Sequence, residues 1–344
     1  MTTGESAAGR NRQWLLARRP SGMVTEADFE LVERPVPEIG PGEVLGRISW
    51  LSFEPAMRGW MDDRESYVAP VELGAPMRAP GLAEVVVSND PAYAPGDVVF
   101  GMMSWSEYVA GRWSAQTAGR GYRQVPTELP TELLLGPLGS TGLTAYAGML
   151  DVGRPEPGDT VVVSGAAGAT GSVAAQIARI KGCRVVGIAG GAEKCRWLLD
   201  EARLDAAIDY KSTDVGHRLR QTCPDGVDVY FENVGGSTLE AVLDNLALGA
   251  RIALCGLISG YNDAELQPGP RNLFQLIVRR ASIQGLLLWD FLDRIPEAFA
   301  DLHRWVEAGE IAYRVDVQEG FENIPRTFLR LFTGANEGKQ LLRL

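Results

Sequence analysis

The chain has 344 residues, 40 glycines, four cysteines, two histidines and a formal net charge of −11. A net acidic chain without a Lys/Arg cluster is poorly suited to phosphate backbones, which sets nucleic-acid binding aside. Cys183, Cys195, Cys223 and Cys255 form no CxxC pair and fit a reducing cytoplasm. With only His217 and His303, three protein ligands for a catalytic zinc are hard to assemble, and no GxSxG elbow suggests a serine hydrolase.

Met1–Arg10 lacks the apolar core of a secretory signal. The first third reads as β-rich. Short apolar runs at Val44–Ile48, Ala83–Val87 and Val98–Phe100 lie between Pro and Gly turns. Pro35, Pro37, Pro41, Pro55, Pro70, Pro76 and Pro80 disfavour long helices there. The character changes near residue 133. Leu133–Leu150 and Val161–Ala178 carry no charge, but glycine, serine and threonine interrupt both, so they read as buried structure rather than membrane spans. Strand-like Thr160–Ser164 precedes a helical Ser172–Lys181, and Arg184–Ile188 precedes a helical Glu193–Arg203. Ala206–Tyr210, Val227–Glu232 and Arg251–Cys255 continue the alternation, which predicts a doubly wound parallel sheet. The tail returns to a strand at Tyr313–Val317 and a helix at Ile324–Thr333.

The sharpest local signal is Val161–Ser172, where an apolar strand enters a glycine turn and a helix opens. That order is the dinucleotide fingerprint, here as AxGxxG with Ala166 in the first glycine place. Gly168 admits the pyrophosphate, Gly171 lets helix and strand pack closely, and the helix start offers amides at Gly168, Ala169, Thr170 and Gly171. NAD sites place an acid at the end of the second strand. This chain has Val186-Gly187-Ile188-Ala189-Gly190-Gly191 there, with Lys194 close behind, which fits the 2′-phosphate of NADP. Glu193 is the discriminator: turned inward to the ribose it favours NAD, whereas at the helix start it complements the dipole.

A series of further segments runs in order along the chain: Asn11-Arg12-Gln13-Trp14, Met57-Arg58-Gly59, Gly142–Tyr146, Lys181–Gly190, Ala207–Lys211, Asp228–Gly236, Gly256–Asn262 and Gly338-Lys339-Gln340. With the glycine turn, they resemble the medium-chain dehydrogenases/reductases. Within these they are similar to the zinc-free NADP-dependent alkenal/prostaglandin reductase (leukotriene 12-hydroxydehydrogenase-like) branch, which includes bacterial curcumin reductase-type enzymes. The resemblance runs from Asn11 to Leu344 and implies an α/β fold in two domains. A GroES-like β-rich substrate domain would use residues 1–133, completed by 304–344, and a Rossmann NADP-binding domain would use 134–303. It also implies a cytoplasmic homodimer whose Rossmann sheets meet near Ser282–Leu288, with no metal, membrane or nucleic-acid partner.

Roles carry over position by position. Lys194 and Tyr210 match contacts to the 2′-phosphate, and Asn233 matches a residue beside the nicotinamide. Cys255, Gly256, Leu257, Ile258 and Ser259 match the loop along the cofactor, Asn336 matches a closing tail residue, and Tyr261 matches a catalytic tyrosine. Read from the residues alone, the alternatives are a solvated helix residue for Lys194, a strand end for Tyr210, a turn cap for Asn233 and a turn residue for Tyr261. Trp60, Tyr67, Trp105, Tyr108, Trp289 and Phe291 are candidates to line an apolar pocket, although single aromatics are more often core. Trp105, Trp289 and Phe291 are assigned to it, the last two lying where the family places substrate-facing residues. Two departures bear on that pocket: Ala56 stands where the family commonly has tyrosine, and Ser140-Thr141 replaces a Met-Pro pair.

The activity implied is NADPH-dependent reduction of the carbon–carbon double bond of a small apolar α,β-unsaturated aldehyde or ketone. Hydride goes to the β-carbon, and charge develops on the carbonyl oxygen. A tyrosine hydroxyl, ordinarily protonated below pH about 10, can stabilise or protonate that enolate without a metal. The alternatives are an NADPH quinone oxidoreductase of the same superfamily and a non-catalytic NADPH-binding protein, which has no need of Tyr261. A short-chain dehydrogenase is disfavoured, since no tyrosine has a lysine four residues later.

Overall fold

The structure, a computed structural model, describes residues 9–113, 121–265 and 268–344. Most of the N-terminal stretch considered for a targeting signal, residues 1–8, lies outside the described residues. The chain folds into two compact units. The first comprises the described residues through Thr131, with Asp316–Asn336 and Gln340–Leu344; the second comprises Glu132–Val315 and Glu337–Lys339.

In the first unit, β1 (Arg10–Leu16) pairs antiparallel with β2 (Phe29–Pro35). β3 (Val44–Ser52), β4 (Arg78–Ser88), β5 (Val98–Ser104), β6 (Tyr108–Gly111) and β7 (Arg123–Gln124) follow. Among the described residues, helix before Thr131 is confined to short 3-10 segments at Glu26–Asp28 and Pro55–Met61, as the proline spacing predicts.

The second unit opens with α1 (Thr131–Leu135), α2 (Ser140–Ala147) and a π-helical Gly148–Gly153. Then β8 (Thr160–Ser164), α3 (Ala169–Ile180), β9 (Arg184–Ala189), α4 (Ala192–Asp200), β10 (Ala206–Asp209) and α5 (Val215–Thr222) alternate. β11 (Val227–Glu232), α6 (Gly236–Leu243), β12 (Leu246–Leu254), α7 (Phe274–Arg279), β13 (Ser282–Gly285) and α8 (Ile295–Glu307) complete it. The six strands run in the order β10-β9-β8-β11-β12-β13, and every pairing is parallel. Val161, Val162 and Val163 are fully buried, because helices cover both faces of such a sheet.

The tail contributes β14 (Val315–Glu319), α9 (Ile324–Thr333) and β15 (Lys339–Arg343). They complete a sheet ordered β14-β15-β3-β4-β5-β7, with β6 beside β3. The chain re-enters the first unit at Asp316, not at residue 304. The reason is α8, which buries Ala298, Leu302 and Trp305, with the Trp305 ring 6.0 Å from that of Tyr146 on α2. That apolar face belongs to the second core.

Candidate active site

The glycine turn lies between β8 and α3. Gly165 takes φ +58°, and the Gly168 N–H donates to the Gly165 carbonyl at 2.9 Å. A Cβ on Gly171 would fall 2.3 Å from that carbonyl oxygen, so only glycine lets α3 begin so close to the turn. Ala166, in the first glycine place, is fully buried. Its methyl faces Gly187 of β9, where an added Cβ would come within 3.0 Å of it. The glycine absent from the turn is thus offset by one on the neighbouring strand. No side chain caps α3 at Gly168. Its first amides and the positive end of its dipole remain for an anion. Gly338 of the tail forms a bridge to Gly168, which places Glu337–Lys339 alongside this turn.

At the end of β9 the chain turns through Gly190 and Gly191, the latter at φ +100°. Tyr210 lays its ring over Gly190, where an added Cβ would meet the phenol carbon and oxygen at 2.8 Å. Lys194, on the first turn of α4, is half-buried, and burial, followed by the charge of Lys211, pulls its amine below the ordinary lysine range. Glu193 is exposed. Asp209 accepts from the Gly191 N–H (2.8 Å), the Lys211 N–H (3.0 Å) and the Ser212 hydroxyl (2.9 Å). These donors hold its carboxyl below the usual range. The nearby acid is therefore committed to two backbone N–H groups and a serine hydroxyl, while two lysines and a phenol face the region. That donor set fits a phosphomonoester better than a ribose hydroxyl.

On the other side of β8, Asn233 follows β11. Its amide nitrogen donates to the Ser164 carbonyl at 2.7 Å. The loop after β12 is tied to it: the Ile258 N–H donates to the Asn233 carbonyl at 3.1 Å, and the Ser259 N–H to the Val234 carbonyl at 2.9 Å. Tyr261 folds back over this loop, half-buried, and its hydroxyl oxygen accepts the Leu257 N–H at 3.2 Å. That bond uses a lone pair and not the phenolic proton. Gly168–Gly171, Asn233, Cys255–Ser259 and Tyr261 thus gather at the carboxyl ends of β8, β11 and β12. The strand order reverses between β8 and β11, and ligands of open α/β sheets bind at such a switch point.

The substrate assignments separate. Trp105 is fully buried in the first unit, with Phe29, Phe53 and Phe328 at ring distances of 5.0, 5.8 and 5.6 Å. It is a core residue here, with no surface left for a ligand. Its aromatic neighbours come from distant parts of the sequence, so spacing alone gave no sign of this. Trp289 and Phe291 are half-buried on a 3-10 segment, Leu288–Arg294, after β13. Asn336 is half-buried in the loop after α9, within the first unit. Ser164, Gly190, Lys211 and Glu232 shape the site but were not singled out from sequence. The signal available for Glu232 was an acid closing an apolar strand. Among the described residues no group of three or more His, Cys, Asp or Glu is placed to hold a metal ion, and no helix is long and apolar enough to cross a membrane.

Residues 12–117 match the family model described as the N-terminal domain of oxidoreductase, and residues 169–308 match the one described as zinc-binding dehydrogenase. The Bacillus subtilis protein YfmJ is 48% identical over 97% of both chains. The Escherichia coli NADPH-dependent curcumin reductase is 42% identical, again over 97% of both. This chain belongs to the NADP-dependent medium-chain dehydrogenase/reductase family of the curcumin, 2-alkenal and prostaglandin reductases. The solved structure of Vibrio vulnificus CurA in complex with NADPH matches it with a TM-score of 0.90 at 39% identity, over 96% of this chain and 98% of that one. The protein is accordingly an NADP-dependent oxidoreductase of that family's α/β architecture.

Proposed function

We propose that this reductase reduces the carbon–carbon double bond of small apolar α,β-unsaturated aldehydes and ketones, with Tyr261 as the group that meets the developing enolate. The observation that carries the reading is Tyr261 itself, held by the Leu257 N–H (3.2 Å) in the loop bonded to Asn233. When bound, NADPH supplies the hydride that the β-carbon receives. The chain's residues do the rest. The uncapped start of α3 holds the pyrophosphate, and Lys194, Lys211 and Tyr210 hold the 2′-phosphate. Asn233 orients the nicotinamide side, and Trp289 and Phe291 offer apolar surface to the substrate. The Tyr261 hydroxyl donates a hydrogen bond to the carbonyl oxygen as charge accumulates there, and a proton from solvent or from Tyr261 then reaches the α-carbon to complete the saturated product. Following NADPH oxidation across alkenals, enones, curcumin-like diketones and quinones tests this. Turnover of enones and alkenals above quinones is expected; turnover of quinones alone overturns it.

The protein acts, in this reading, as a homodimer. β13 is the last strand of its sheet, and Ser282–Gly285 are exposed along it. Phe274 and Ile277 on the adjoining α7 are each 70% exposed. A second copy laid edge to edge along β13 covers both. Sedimentation of the wild type and of Ile283→Lys checks this, with a dimer and a monomer expected.

A further inference from the structure

Ser164 is the last residue of β8 and Glu232 the last of β11, and both are fully buried. A carboxylate in such a place is costly unless every oxygen is met by donors. Here they are. Glu232 Oε1 accepts from the Ser164 hydroxyl at 2.7 Å, from the Gly235 N–H at 3.0 Å and from the Val234 N–H, and Oε2 accepts from the Tyr230 hydroxyl at 2.6 Å. Burial, and then the charge of Glu232, push the Tyr230 phenol well above its ordinary value, so it remains a donor. The Ser164 oxygen accepts the Asn233 N–H at 2.8 Å while its proton serves Glu232. The Glu232 carbonyl accepts both the Cys255 N–H (2.9 Å) and the Gly256 N–H (3.1 Å). One residue pair therefore ties together the ends of three strands: β8 before the glycine turn, β11 before Asn233, and β12 before the Tyr261 loop. Only an acceptor-only side chain meets four donors at once.

We propose that Ser164 and Glu232 are positioning residues, a buried latch that holds Asn233 and the Tyr261 loop in register with the glycine turn for hydride transfer. The inference rests on the proposed activity for its kinetic readout and on cofactor binding alone for its spectroscopic one. Misplacing reacting groups by a fraction of an ångström slows transfer without abolishing binding. Ser164→Ala is therefore expected to lower kcat on an enone by about 10- to 100-fold. It also raises the isotope effect with NADPH deuterated at the transferred position. The emission of bound NADPH shifts toward that of the free cofactor, with Kd kept within about threefold. Glu232→Gln keeps an oxygen for the Ser164, Val234 and Gly235 donors and stays near wild type in isotope effect and emission. Tyr230→Phe removes only the Oε2 bond, lowering Tm while leaving the isotope effect unchanged. Should Ser164→Ala fail to fold, Ser164→Cys, a weaker donor, carries the same readouts. An unchanged isotope effect and emission in the serine variant overturns the latch. So does loss of kcat, Kd and Tm in proportion. A wild type inactive on enones refutes the proposed activity instead, and the emission shift still decides the latch.

Discussion

The two ends of the candidate site are built differently. At the glycine turn, β8, the turn and α3 are contiguous in sequence, and one steric fact governs them: a Cβ on Gly171 would lie 2.3 Å from the Gly165 carbonyl oxygen. At the other end, Asn233 and Tyr261 come from loops after β11 and β12. Their register depends on Ser164 and Glu232, buried beneath them. A contiguous turn enforces its own geometry. An assembled one relies on hydrogen bonds between segments far apart in the chain.

The largest effect is expected where no ligand lies. Trp105→Ala removes the centre of the first unit's aromatic cluster and costs about 3–5 kcal/mol of stability, read as a large fall in Tm. The KM for an enone measured on the folded fraction stays near wild type. A changed KM with an unchanged Tm would return Trp105 to the pocket. Trp105→Phe costs less, because the indole N–H has no partner among the described residues.

Gly171→Ala tests the contiguous end. Overpacking of about 1–3 kcal/mol weakens NADPH binding by up to about 100-fold, measured by titrating cofactor fluorescence. Tyr261→Phe tests the assembled end. Its kcat is expected to fall about 100-fold, as when one transition-state donor is lost, with NADPH affinity within about threefold. If Tyr261→Phe weakened binding while sparing kcat, the distinction between the ends would collapse.

Lys194→Ala gives the smallest of these effects. Loss of a charge-assisted bond, about 1.5 kcal/mol, lowers the NADPH-over-NADH ratio of kcat/KM by about 10-fold. The pH dependence follows from the lowered amine. A neutral lysine no longer attracts the 2′-phosphate, so preference for NADPH falls as pH rises toward the amine's depressed pKa. The fall begins at lower pH than for an ordinary lysine, and it flattens in Lys194→Ala.

The strand–turn–helix of β8 and α3 was legible because its causes are local. Apolar runs buried on both faces make parallel strands, and glycine is required where backbone meets backbone. The absence of an acid after β9 pointed to NADP for the same local reason. Tyr210 and Asn233 were named through the resemblance, but the sequence has no local sign that Gly190 leaves room for the Tyr210 ring. Trp105 shows the converse: its type fits pocket or core alike, and only the packing of Phe29, Phe53 and Phe328 around it decides for core.

Sequence by itself determined the α/β alternation and the glycine turn, since each follows from burial pattern or sterics within a few residues. Tertiary structure alone decided the return to the first unit at Asp316, the burial of Trp105 and the pairing of Ser164 with Glu232. Those depend on which distant segments exclude water together, and neither burial nor a hydrogen bond between strands 68 residues apart is written in local spacing.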